Sequence, residues 1–194
     1  MKILKTDNNT LNRKVINEAI NVLAHGGIVL YPTDTVYGLG VNIFDETAIK
    51  KLYKIKKRDF FKPFSILVSD VEAISHVAKI SLNDMKFIEE YLPGPYTFIL
   101  EKTHIVPYIV TSGLKQVGVR VPDNKIARTL AELFPITTTS ANMSHKEVLS
   151  TPEEIINQLG RKVDLVIDVG KLESNTPSTL IDLTKAKPQV LKRV

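Results

Sequence analysis

Short apolar runs alternate with stretches of helical periodicity along the whole chain. In NRKVINEAINVLAHGG, Val15, Ile16, Ala19, Ile20, Val22 and Leu23 recur at helical spacing, and a glycine pair closes the helix. The run GIVLYP then predicts a buried strand. DETAIKKLYKIKKR predicts a second helix, with Asp45 as its N-cap and Ala48, Ile49, Leu52, Tyr53 and Ile55 on its apolar side. PFSILVS, YTFILEK and QVGVRVP read as strands, and DVEAISHVA, SLNDMKFIEEYL and DNKIARTLAELF as helices. PITTTSAN is a strand breaking into a loop. STPEEIINQL is a helix capped by Ser150 or Thr151 with Pro152 in its first turn, and VDLVIDVG and PSTLIDLT close the chain as strands. Interleaved strands and helices predict an α/β fold with helices layered on a mixed sheet. At 194 residues, with no repeat or linker, one domain is expected.

Composition narrows the chemistry. The chain is 43% hydrophobic and 24% charged, as ordinary globular proteins are. It has no cysteine, which excludes disulfides and thiolate catalysis. His25, His76, His104 and His145 stand apart from one another, so no zinc site is expected. MKILKTDNN lacks the apolar core of a signal peptide and no run reaches the ~20 apolar residues of a membrane span, so the expected location is cytoplasmic. A net charge of +5 favours phosphate-bearing partners.

Polar clusters recur where apolar strands end: PTDTVYGLG, KKRDFFKP, TTTSAN and TPSTLID, with VGVRVP as a fifth. Any one of them is an ordinary turn; their recurrence is the signal, because loops at strand ends converge on ligands in α/β sheets. GxGxxG, GxxxxGK[ST] and GxSxG are all absent, so dinucleotide, P-loop and hydrolase-elbow chemistries lack support. The basic run ending at Arg58 reads either as a solvated helix face or as a phosphate grip. In the second reading Arg58 and Lys62 flank a turn, one as a fork and one as a point charge. Phe60 and Phe61 cover a base or anchor this loop in the core, and anchoring is the simpler expectation.

Taken in order, YPTDTVYGLG, KIKKR…KPFSILVSD, PGPYTFIL, VGVRVPDN, TSANMS and STLIDL resemble the YrdC/YciO family of threonylcarbamoyl-AMP synthases, from about Ala19 to Leu183. The resemblance implies a single YrdC-like domain over residues 1–194, a three-layer α/β fold whose twisted mixed sheet is flanked by helices. It also implies joining of L-threonine, bicarbonate and ATP into threonylcarbamoyladenylate with release of pyrophosphate. Mg²⁺ would come with ATP, held mainly by the phosphates and not by a dedicated metal site. Downstream transfer proteins would carry the group to adenosine 37 of tRNA, with direct tRNA contact a further implied partnership.

The family's K-x-R…S-x-N signature falls on Lys56, Arg58, Ser140 and Asn142. By resemblance Lys56 and Arg58 are the catalytic pair. Arg58, Lys62, Gln116, Asn142, Ser150 and Lys192 hold ATP; Thr35, Arg120, Ser140 and Ser178 hold threonine, with Arg120 on its carboxylate. The glycines of PTDTVYGLG would then permit close approach of backbone to the amino acid. Leu67 stands where some relatives carry histidine, Gln116 where Thr or Ser is common, and Lys192 where many have arginine. KPFSILVSD and PGPYTFILE lean toward the YciO branch, but TSAN keeps the S-x-N signature.

A binding module of the YciO type that grips structured RNA through basic charge is the alternative reading. Such a module has no need of Thr35, Ser140, Asn142 and Ser178 together. Carbamoyl phosphate chemistry, as in larger hydrogenase-maturation proteins containing this domain, is a third reading that lacks those proteins' extra domains here.

Overall fold

The computed structural model describes residues 1–8 and 10–192. Its elements follow in chain order: β1 (Lys2–Lys5), α1 (Arg13–Ala24), β2 (Val29–Tyr31), β3 (Gly38–Gly40), α2 (Glu46–Lys56), β4 (Ser65–Leu67), α3 (Ile74–Val77) and β5 (Ala78–Lys79). They continue with α4 (Leu82–Glu89), β6 (Tyr96–Lys102), α5 (Tyr108–Thr111), β7 (Gln116–Arg120), α6 (Lys125–Leu130), β8 (Ile136–Ser140), α7 (Pro152–Leu159), β9 (Leu165–Asp168), β10 (Thr179–Asp182) and β11 (Gln189–Leu191). One mixed sheet runs β1-β9-β2-β3-β8-β4-β7-β6-β10-β11, and β5 pairs with β6.

Helix boundaries follow local chemistry. Asn12 Oδ1 accepts from the amides of Lys14 and Val15 at the start of α1, and Gly26 leaves the helix at φ 74°. Asp45 Oδ1 accepts from the Ala48 amide at 2.9 Å, fixing the start of α2. Thr151, followed by Pro152, caps α7.

Alternation along the strands builds two unlike faces. Leu30, Leu39, Ile66, Phe98, Val119, Val166 and Ile181 point to one side, where Ile49 and Leu52 of α2, Ile74 of α3, Ile88 of α4, Val110 of α5 and Ile155 of α7 bury them. On the other side Val29, Tyr31, Leu67, Ile136, Leu165 and Ile167 lie beneath α1 and α6, packed by Ile16, Ala19, Leu23, Ile126 and Leu130. Helix, sheet and helix thus form three layers. Past Leu67 this second face turns polar: Ser65, Gln116, Gly118, Arg120, Thr138, Ser140 and Ser178 line cavities there.

Three expectations need correction. YGLG is a strand and not a turn: β3 lies antiparallel between β2 and β8, with Gly38 opposite both Tyr31 and Ser140. Its glycines make room for a side chain of the protein itself. A Cβ on Gly38 would sit 2.8 Å from the Tyr31 ring and one on Gly40 2.9 Å from it. The Tyr31 ring lies against both glycines, and its hydroxyl donates to Thr138 Oγ1 at 3.1 Å. Phe60 and Phe61 do not anchor their loop in the core, being 56% and 86% exposed; Phe60 rests on the Tyr53 ring at 4.7 Å. Lastly, the helix expected across DNKIARTLAELF ends at Leu130.

Candidate active site

Two contiguous compartments open on the polar part of the sheet. The smaller, about 110 Å³, is lined by Thr33, Thr97, Arg120, Thr138, Ser140 and Ser178 among others. The larger, about 650 Å³, is lined by Lys56, Arg58, Lys62, Gln116, Asn142, His145, Lys146 and Lys192, with Ile99, Leu114, Val117 and Leu180. Arg58, Pro63, Phe64, Ser65, Ser140 and Pro177 belong to both walls. The second volume lies in the range of sites that take drug-sized ligands, and the first suits a small polar molecule.

Arg120 ends β7 on the floor of the small compartment and is 5% exposed. Its Nη2 pairs with Asp34 Oδ1 at 2.5 Å, and its Nη1 donates to Thr35 Oγ1 at 2.8 Å. The Thr33 hydroxyl donates to the Val36 carbonyl at 2.7 Å, so across the 3.0 Å contact between the two threonines it is Thr35 that donates. Proton order therefore runs Arg120 to Thr35 to Thr33 to backbone, and each hydroxyl is fixed. Among the described residues, Arg120 Nε and Asp34 Oδ2 are buried and have no hydrogen-bond partner. Burial pushes Arg120 below the usual arginine range while the Asp34 charge pulls it back, and the guanidinium remains a cation. A buried fork with an unmet N–H is suited to receive a carboxylate. Across the compartment Ser178 Oγ lies 2.7 Å from Thr97 Oγ1.

The K-x-R and S-x-N segments are physically tied. Lys56, 1% exposed, donates from Nζ to the carbonyls of Ser140 at 2.5 Å and Asn142 at 2.6 Å. The Ser144 amide returns a bond to the Lys56 carbonyl at 2.8 Å. Ser140 Oγ donates to Asn142 Oδ1 at 2.6 Å, and Asn142 Nδ2 to the Lys146 carbonyl at 2.6 Å. Lys56 thus anchors the loop that carries the two polar residues.

Burial, with the Arg58 charge second, brings Lys56 from its ordinary 10.5 down to about 7. A neutral amine still has two N–H bonds, enough for both carbonyls, so the tether survives deprotonation. The sign of the pH effect follows. Between about 7 and 10.5 the unfolded chain retains a proton that folded Lys56 has shed, so stability rises with pH across that window. Below 7 both states are charged and the burial cost is fully present. Urea unfolding across this range should show the rise, and Lys56→Met should flatten it; an unchanged slope in the variant would assign the rise to other groups.

Arg58 follows α2 at the rim between the compartments. Its Nε donates to the Lys62 carbonyl at 3.0 Å and its Nη2 to the Pro63 carbonyl at 2.8 Å, and its guanidinium lies 5.1 Å above the Phe64 ring. The fork therefore shapes the 58–63 loop as well as facing both cavities.

Most of the expected residues converge here. Lys56, Lys62, Gln116, Asn142 and Lys192 line the large compartment, Arg120 and Ser178 the small one, and Arg58 and Ser140 both. Thr35 reaches the small compartment through Arg120 and itself lines a neighbouring cavity with Asp34. Ser150 lies outside both linings, its carbonyl accepting from the Leu172 amide at 3.1 Å. Leu67 is fully buried beside Tyr31 and Ile136, adding no polar atom. Sequence reasoning missed Asp34, Thr33, Thr97 and Ser144. Asp34 had a signal, being the only acid in the cluster YPTDTVYGLG, but nothing in sequence pairs it with Arg120.

His145, on the wall of the large compartment, holds φ 65°, a left-handed conformation that costs a residue with a Cβ about 1–2 kcal/mol. His145→Gly should therefore gain up to about 1 kcal/mol net of glycine's entropy, raising Tm by roughly 2–4 °C. A thermal melt with no gain would contradict this.

A sequence profile for the Sua5/YciO/YrdC proteins, described as telomere recombination, matches residues 21–194. This chain belongs to that family. Among its relatives is a Methanocaldococcus jannaschii protein provisionally named threonylcarbamoyl-AMP synthase, 42% identical over 175 residues, 90% of this chain and 83% of that one. Pyrococcus abyssi Sua5, solved with L-threonine, superposes with a TM-score of 0.92 at 32% identity over 99% of this chain, which spans 57% of the Sua5 chain. Escherichia coli YciO superposes with a TM-score of 0.90 at 32% identity, covering 99% of this chain and 95% of YciO. The layered sheet and its flanking helices are those of the Sua5 and YciO structures.

Proposed function

We infer that this chain is a threonylcarbamoyl-AMP synthase, making threonylcarbamoyladenylate from L-threonine, bicarbonate and ATP with release of pyrophosphate. The observation that carries the reading is Arg120. A buried guanidinium with an unmet N–H ends one compartment, and a larger cation-lined compartment opens directly from it. The smaller space suits an amino acid held by its carboxylate, and the larger suits a nucleotide.

The chemistry needs little covalent work from the protein. The threonine amine attacks the carbon of bicarbonate, water leaves, and a carbamate oxygen then attacks the α-phosphorus as pyrophosphate departs. Arg120, with Thr35 behind it, holds the carboxylate; Ser178 and Ser140 lie within the same walls to orient the hydroxyl and amine. Arg58 and Lys62 neutralise phosphate charge, and Lys56 fixes the Ser140–Asn142 loop against them. Positioning and charge neutralisation are what phosphoryl and nucleotidyl transfer chiefly require. Among the described residues no group of three or more acids and histidines is placed to hold a metal, and neither compartment's lining includes a carboxylate. Mg²⁺, which would lower the charge of the triphosphate, therefore fits best as a passenger on its oxygens.

The labile product calls for a transfer protein that moves the group to tRNA, and the chain's excess positive charge suits a tRNA encounter. No helix among the described residues is long and apolar enough to cross a membrane; we propose a cytoplasmic location. The test is isotopic: carbon-labelled bicarbonate should enter a nucleotide product that also contains labelled threonine. Label from threonine without label from bicarbonate would refute carbamate formation. The YciO-type RNA module predicts no labelled nucleotide at all.

A further inference from the structure

The nucleotide-sized compartment has unlike ends. Along β7, residues 116, 118 and 120 face the site, at about 3.3–3.4 Å of rise per residue. Arg120 stands in the amino-acid compartment. Gly118 lies next on the floor, where a Cβ would come within 2.6 Å of Ser65 Oγ. Gln116 is at the far end, among Leu114, Ile99 and Leu180. Because carbamate must meet the α-phosphorus beside Arg120, the phosphates lie near Arg58 and the base falls toward Gln116. An apolar patch with one amide is the kind of wall that takes a base.

That amide is held in one orientation. Asp182, 8% exposed, accepts through Oδ1 from the Thr184 amide at 2.8 Å and from the Thr184 hydroxyl at 2.7 Å. The hydroxyl proton is thereby committed to the carboxylate, so Thr184 Oγ1 meets Gln116 only as an acceptor. Gln116 accordingly presents Nε2 to it, at 3.1 Å. Thr184 lies outside the lining of the compartment. The amide nitrogen is committed to Thr184, and since Gln116 itself lines the compartment, the oxygen is the atom it has left to offer there. We propose that Asp182 and Thr184 are positioning residues that lock Gln116 with its oxygen toward the base, so that it accepts from the 6-amino group of adenine. A 6-oxo purine would present an oxygen to that oxygen.

The inference rests on the synthase reading for the placement of the base, so its test is binding, which does not depend on turnover. Calorimetry with ATP and with inosine triphosphate should show the unmodified protein preferring ATP by about 30-fold or more, as expected where a bonded donor is replaced by an acceptor. Thr184→Val frees the amide to turn over and should bring that ratio to within about threefold, and Thr184→Ser should restore it. Gln116→Met, a second route should Thr184→Val fold poorly, should also lose the discrimination. Equal binding of the two nucleotides by the unmodified protein, or full discrimination by either Thr184→Val or Gln116→Met, would overturn the proposal. Loss of threonine-dependent chemistry with intact discrimination would refute the synthase reading alone.

Discussion

Arg120→Met should lower threonine-dependent turnover by about 10³-fold or more, the scale of losing a preorganised charge at a reacting centre. It should also destabilise the fold by about 3–5 kcal/mol, because Asp34 would remain buried without its cation. The two side chains are 6% and 13% exposed, so little solvent screens them. Stability and function are separated by the companion change. Asp34→Asn keeps the guanidinium but removes the charge that neutralises it, and the next available anion is the substrate's carboxylate. Threonine should therefore raise the Tm of Asp34→Asn by more than it raises that of the unmodified protein, through mass action on the folded state. Thermal melts with and without threonine check this. Equal shifts in both proteins would mean that the carboxylate does not sit on Arg120.

Arg58→Ala should lower kcat/KM for ATP by about 10²–10³-fold. Two effects combine in that loss. A cation leaves the wall shared by the two compartments, and the 58–63 loop loses its bonds to the carbonyls of Lys62 and Pro63. Arg58→Lys tells them apart: it keeps the charge but lacks the planar fork, so it should recover less than about tenfold. Steady-state kinetics with ATP varied at saturating threonine measures both variants. An alanine variant within about threefold of the unmodified protein would remove Arg58 from the mechanism.

The sequence made the layers legible because the apolar spacing of α1, α2 and α7 and the runs at β6, β7 and β9 each match one period. It hid β3, since two glycines in three residues read as a turn until the Tyr31 ring is seen lying against them. It also hid β1, whose KILK is short and mostly exposed. The site was legible as motifs and not as contacts. Lys56 and Arg58 stand together in the chain, yet Lys56 belongs to the carbonyls of Ser140 and Asn142, more than eighty positions away. Asp34 and Arg120 are 86 positions apart, and they meet only in the fold, where the β2–β3 loop that carries Asp34 reaches the end of β7 although β8 and β4 lie between β3 and β7. Ser150, which the resemblance assigns to ATP, lies outside both linings, with its carbonyl bonded to the Leu172 amide. Aromatic exposure at Phe60 and Phe61 could not be read from two adjacent letters, because which of them meets Tyr53 depends on how the loop folds back from Arg58.

The synthase reading requires that one site couple an amino acid, a one-carbon acid and a nucleotide. It is tested most directly by pyrophosphate release from ATP by the purified protein, with threonine and bicarbonate each supplied or withheld. Release is expected only when both are present. Release without threonine or without bicarbonate, or none from folded protein with both present, would contradict it.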